Sequence, residues 1–101
     1  MSITPTQLLR FTSGNSDKIW GYIENKTANG QSYTFWGKVG GVIAFKAWEA
    51  GWESSHQIRS LEYAKKRKKY KEVSMTDLPY DAQEKYDQAV VMATLGLLRI
   101  K

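Results

Sequence analysis

YTFWGKVGG, Tyr33 to Gly41, reads as a β-strand that runs into a glycine turn. Successive strand side chains point to opposite faces, so Tyr33, Phe35 and Gly37 share one side and Thr34, Trp36 and Lys38 the other. Gly40-Gly41 permits a tight reversal. Val42 to Trp48 then alternates again, with Val42, Ala44 and Lys46 against Ile43, Phe45 and Ala47. Two strands joined this closely are expected to pair as a hairpin. Trp36 and Lys38 lie on one face. An exposed ring beside an exposed cation can stack on a sugar or base and hold a phosphate. Burial in a core explains Trp36 equally well on the local pattern.

Toward the N-terminus, Gln7 to Thr12 reads as a first strand and Lys18 to Glu24 as a second, separated by a polar loop, Ser13 to Asp17. The second is rich in aromatic and β-branched residues (Ile19, Trp20, Tyr22, Ile23), as strands are. Asn25 to Gln31 carries Asn29-Gly30, a turn signal because both residues tolerate positive φ. An antiparallel meander is the economical arrangement of these strands.

Toward the C-terminus, Ala50 to Ser55 is a connection, and Ser54 with Gln57 fits a capping box, which predicts a helix starting near Ser55. Ile58, Leu61 and Ala64 form a narrow apolar stripe that gives out where the lysines begin. Basic residues in the last turns suit the negative end of the helix dipole, although six between Lys65 and Lys71 exceed what that requires. Tyr70 to Val73 suggests a short closing strand. Met75 to Pro79 breaks the pattern. A second helix is predicted from about Pro79 to Leu95 on the spacing of Ala82, Tyr86, Ala89, Val90, Ala93 and Leu97. Gly96 can end or kink it. Leu95, Leu97, Leu98 and Ile100 make an apolar tail, suited to core packing or to a partner. The fold expected is α+β: an antiparallel sheet of four to five strands, a basic helix on one face and a further C-terminal helix.

The 101 residues fit a single domain with one modest core. At 42% hydrophobic and 25% charged residues, the chain is of ordinary globular composition rather than disordered. No apolar run approaches the roughly 20 residues of a membrane span, and Met1 to Phe11 lacks the features of a secretory signal. There is no cysteine, which excludes disulfides and thiolate metal sites and fits a reducing compartment. An intracellular, cytoplasmic location is therefore expected, nucleoid-associated if the source is bacterial.

The net charge of +5 is unevenly distributed. Between Arg59 and Lys71 stand seven basic residues (Arg59, Lys65, Lys66, Arg67, Lys68, Lys69 and Lys71) and one acid, Glu62. The rest of the chain is nearly neutral. A solvated helix usually mixes signs so that i,i+4 pairs form. This segment lacks that mixing, which points to an anionic partner.

Catalysis finds little support. His56 is the one histidine and lies in a polar stretch beside the helix-start signal, as a surface residue or cap neighbour would. Val39-Gly40-Gly41-Val42 has neither P-loop nor GxGxxG spacing. The carboxylates are scattered. No enzyme activity, cofactor or metal is expected.

SDKIWGYIE, then GQSYTFWGKVGG, then a helix ending KKRKKYKEV, resembles the WGR domain, named for its Trp-Gly-Arg signature and found in DNA-damage-dependent poly(ADP-ribose) polymerases and in assorted bacterial proteins. The resemblance covers about residues 8–74; residues 75–101 lie beyond it as a C-terminal helical extension of the same single domain. It implies a compact α+β fold and DNA contact, with Trp36 as the stacking residue, Lys38 as the backbone cation and Gly37 keeping the surface open. Lys38 stands where the signature has arginine, so a bidentate fork is replaced by a point charge. Lys69 stands where many members have glycine. The polymerase catalytic domain is absent, and ADP-ribosylation does not carry over.

The expectation is a small non-enzymatic DNA-binding module whose contacts are largely independent of sequence. They would come from Trp36, Gly37, Lys38, Lys65, Lys66, Arg67, Lys68, Lys69 and Lys71. DNA ends or nicks are among the targets. The alternative is a protein-interaction or adaptor module that uses the same surface, or a protein partner or self-association through the apolar C-terminal helix.

Overall fold

The computed structural model describes residues 4–24, 31–49 and 51–94. In chain order these form β1 (Gln7–Ser13), β2 (Ser16–Ile23), β3 (Ser32–Lys38), β4 (Ile43–Trp48), α1 (Trp52–Arg67), β5 (Lys71–Glu72) and α2 (Tyr80–Thr94), with a 3-10 turn at Met75–Asp77. The strands make one antiparallel sheet in the order β4-β3-β2-β1-β5. The fold is α+β, as the sequence predicts. The helices lie on opposite faces, seated on separate apolar clusters. The Asn29-Gly30 turn, Gly96 and the tail Leu95, Leu97, Leu98 and Ile100 fall outside the described residues. Among those described, no helix is long and apolar enough to cross a membrane.

One face is closed by α2. Phe35, Phe45 and Tyr86 form an aromatic cluster there, with Phe35 and Tyr86 ring centroids 5.0 Å apart and Phe35 and Phe45 5.5 Å apart. Leu8, Ile19, Ile23, Tyr33, Ile43, Leu78, Ala82 and Val90 complete the core around it. Gly21 makes room for this packing: a Cβ there would collide with the Phe35 ring and the Gln7 carbonyl oxygen. Burial raises the Tyr86 phenol above its ordinary pKa.

The other face is covered only in part. Ile58 is the buried residue of α1, set against Leu9, Trp20 and Tyr22 on β1 and β2, with Trp48 and Tyr70 packed alongside. Leu61 stays 38% exposed. On β3 and β4 this face is open at Trp36, Lys38 and Lys46, whereas Ser32 and Thr34 are buried and Trp48 packs against the Ile58 cluster.

Four local features differ from the sequence reading. Ser13 to Asp17 is not a loop: Ser13 pairs with Ser16 across a two-residue turn, with Gly14 at φ 56, as a turn with glycine first requires. Arg10 then grips Asp17 with two hydrogen bonds of 2.7 and 2.8 Å, which hold the Asp17 carboxyl below its usual pKa. Helix α1 starts at Trp52 behind Gly51, without a side-chain cap. Ser54 therefore lies inside the helix, and the capping box occurs at Ser74 and Asp77 instead. The basic segment does form an i,i+4 pair, Glu62 with Lys66 at 3.2 Å. Finally, α1 ends in a Schellman turn, with Tyr70 N–H donating to the Lys65 carbonyl and Lys69 N–H to the Lys66 carbonyl. Its left-handed position is Lys69, at φ 74, where glycine is usual.

Two measurements check this packing. Tyr86→Ala is expected to lower the unfolding free energy by about 3–5 kcal/mol in a denaturant titration. Tyr80→Ala, at a ring 75% exposed, should change it by less than about 0.5 kcal/mol, and equal losses would contradict the seating of α2. Lys69→Gly should stabilise by up to about 1 kcal/mol, because the left-handed strain outweighs the added freedom of the unfolded chain.

Candidate nucleic-acid interface

The open half of the α1 face is a groove floored by β3 and β4 and walled by α1. Sheet register builds its floor. Trp20, Trp36 and Ala44 are cross-strand neighbours, and Lys18 stands directly opposite Lys38 two pairs further along, on the same face. Two recesses lie along it. The first, about 290 Å³, is lined by Lys18, Ile19, Trp36, Gly37, Lys38, Lys65 and Tyr70. The second, about 260 Å³, is lined by Trp20, Thr34, Trp36, Lys46, Trp48, Leu61 and Lys65. Trp36 and Lys65 belong to both, so the recesses adjoin.

Trp36 is 40% exposed, whereas its neighbour Trp20 is 3% exposed. The difference follows from the position of α1, which reaches Trp20 on β2 and stops short of β3. Trp36 is thus an accessible ring on the sheet, set within the two recesses. Gly37 has a structural reason of its own: a Cβ there would collide with the Val42 carbonyl oxygen. It lines the first recess as well, so the open surface around Trp36 and the close approach to the β3–β4 turn share one residue.

Four lysines surround the ring, and neither recess has a carboxylate in its lining. Like charges directly opposite on a sheet repel, so the Lys18–Lys38 pair costs stability where no anion is present. Lys65 comes from the helix side. It is seven residues after Ile58, on the stripe that faces the sheet, and its amine sits 5.2 Å from the Tyr70 ring centroid. Burial, then repulsion from Lys68 and Lys18, holds that amine below the ordinary lysine range. An anion in the recess would reverse this shift. Lys46 lies 4.0 Å over the Trp48 ring. The Trp48 indole N–H donates to Thr34 Oγ1 at 3.0 Å.

The predicted basic residues do not act as one patch. Trp36, Gly37, Lys38 and Lys65 are brought together. Lys66 is held between Glu62 and Glu72, at 3.2 and 3.1 Å, and its charge is neutralised locally. Arg67 lies over the exposed Tyr63 ring, and Lys68 caps the helix. Lys69 and Lys71 line a separate recess with Arg10, Phe11, Thr12 and Ser13. The two recess systems meet across the Phe11–Tyr70 ring stack, 5.2 Å between centroids. The sequence reading missed Lys18, Lys46, Trp48 and Tyr70 as groove residues. Alternation could have found Lys46, which shares a strand face with Ala44. Lys18 needed the β2–β3 register.

His56 is exposed on α1. Among the described residues, no group of three or more His, Cys, Asp or Glu is placed to hold a metal ion. No family model matches the chain, and no curated protein and no solved structure matches it significantly.

The field around Trp36 can be measured directly. Iodide should quench Trp36 fluorescence more than caesium does, because the lysines concentrate anions, and added inert salt should erase the preference. The signal is the difference between wild type and Trp36→Phe, which removes the contribution of Trp52 beside Glu49 and Glu53. Equal quenching by the two ions would contradict a cationic groove.

Proposed function

We propose that this chain is a small non-enzymatic nucleic-acid-binding module, with DNA as the expected partner, and that the groove around Trp36 is its contact surface. One observation carries the reading: an exposed tryptophan over a rigid sheet, surrounded by Lys18, Lys38, Lys46 and Lys65 in recesses without a lining carboxylate. Phosphates relieve the crowding of the lysines, and the ring offers a flat apolar face to a sugar or base. The contacts are to backbone rather than base edges, so affinity should depend weakly on sequence. Lys68, Lys69 and Lys71 extend the positive surface past Tyr70. Reading Trp36-Gly37-Lys38 as a variant WGR signature assigns the same two roles to the ring and to Lys38.

A second reading, a docking surface for protein, has a narrower basis. Val91 and Met92 on α2 are 45% and 42% exposed, next to Asp87 and Gln88. That face lies on the opposite side of the sheet from the groove.

Salt dependence tests the main reading. If about five phosphates are neutralised, log K should fall against log salt with a slope near −4 to −5 on duplex DNA. Lys38→Gln and Lys65→Gln should each reduce the slope by about 1. Lys66→Gln should leave it unchanged, because Lys66 is already paired with Glu62 and Glu72. A slope near zero, or equal effects of all three substitutions, would contradict the assignment.

A further inference from the structure

We infer that the groove takes unpaired bases, so that single-stranded nucleic acid is its ligand in preference to duplex. This deepens the nucleic-acid reading and rests on it. The argument begins with where Trp36 lies. Its ring is accessible but recessed, between Leu61 and Lys65 of α1 on one side and Lys46 of β4 on the other. In a duplex the base faces are stacked on their neighbours and the outer surface is phosphate and sugar. That surface can reach lysines on the rim, but it cannot bring a base face down onto a recessed ring. An unpaired base can enter edge-first and lie flat on Trp36, as bases do on the aromatic platforms of single-strand binding proteins.

The charges are arranged to match. Lys46 stands at one end of the ring and Lys18 and Lys38 at the other, with Lys65 lining both recesses, so cations flank the stacking surface on both sides along the groove. A single strand has the same repeat, phosphate then base then phosphate. Beyond Lys65 the Tyr70 ring, braced by Phe11, continues the path toward Lys69 and Lys71. The strand would run from Lys46 past Trp36 to Tyr70.

The polar side chains also fit a ligand read by stacking. Thr34 Oγ1 and the Trp48 indole N–H are engaged with each other in the second recess. Apart from the Tyr70 phenol and the Trp20 and Trp36 indole N–H groups, the remaining polar side chains lining the two recesses are lysines, which hold phosphate without reading base identity. Preference for strand over duplex is therefore expected without strong preference among bases.

The test compares three probes at one salt concentration: oligo-dT, a blunt duplex with the same number of phosphates, and inorganic polyphosphate. Oligo-dT should bind at least about 10-fold tighter than the other two and quench Trp36 fluorescence. Trp36→Ala should weaken oligo-dT binding roughly 5- to 150-fold, the range for loss of one base stack, and weaken duplex binding less. Trp36→Phe, which keeps a ring, should retain most of the affinity and serves as the folding control, with circular dichroism of each variant. Duplex bound as tightly as oligo-dT overturns the single-strand inference and leaves the nucleic-acid reading standing. Polyphosphate bound as tightly as oligo-dT overturns the stacking role of Trp36. Binding of none of the three at low salt overturns both.

Discussion

The Phe35–Phe45–Tyr86 contact governs the layout of this molecule. It draws α2 onto one face of the sheet and closes that face with interlocking rings. The opposite face is then left to α1, which has one buried residue, Ile58, seated mainly on β1 and β2 with Trp48 of β4 packed alongside. A sheet of five strands covered completely on one side and partly on the other has a strip of floor left over. In this chain the strip carries Trp36.

The uncovered strip is not merely unfinished packing. A helix that continued its apolar stripe from Ile58 and Leu61 would place another apolar residue in the recesses beside Trp36. The chain has Lys65 there instead, with Lys18 and Lys38 facing it from the sheet. Amines placed this close around one ring cost stability by mutual repulsion, and the Lys65 amine is held below the ordinary lysine range by burial first and then by repulsion from Lys68 and Lys18. Two cations outside the groove are ion-paired: Lys66 twice, with Glu62 and Glu72, and Arg10 with Asp17. The convergence of Lys18, Lys38, Lys46 and Lys65 on one accessible ring, in recesses without a lining carboxylate, is the physical basis for assigning an anionic ligand to the groove.

Much of the fold was legible in the sequence because alternation in β1 to β4 and helical spacing in α2 follow directly from which side chains are buried. Tyr86 and Val90 are core residues for the reason the spacing suggests. The start of α1 was misread because Ser54 and Gln57 mimic a capping box, although the Ser55 hydroxyl turns to Glu24 and Gly51 begins the helix. The site was half legible. Trp36 and Lys38 share a strand, so alternation places them together. Lys65 was legible only as part of a basic run, because a count of charges does not say which lysine faces inward. Its direction depends on the helical phase set by Ile58. Lys66, one position further round the helix, looked equivalent in sequence and is tied to Glu62 and Glu72. Lys18 enters through the β2–β3 register, and the eight residues between those strands are too many to fix that register in advance.

The central claim is that ligand meets the protein at the groove and not at the basic run as a whole. The most direct measurement is a backbone, indole and lysine-amine NMR titration with a short single-stranded oligonucleotide. The account predicts that the Trp36 indole and the signals of Lys18, Lys38, Lys46 and Lys65 shift together, with Lys66 moving little. Shifts centred on Val91 and Met92, or spread evenly over Lys65 to Lys71 with the Trp36 indole unmoved, would contradict it.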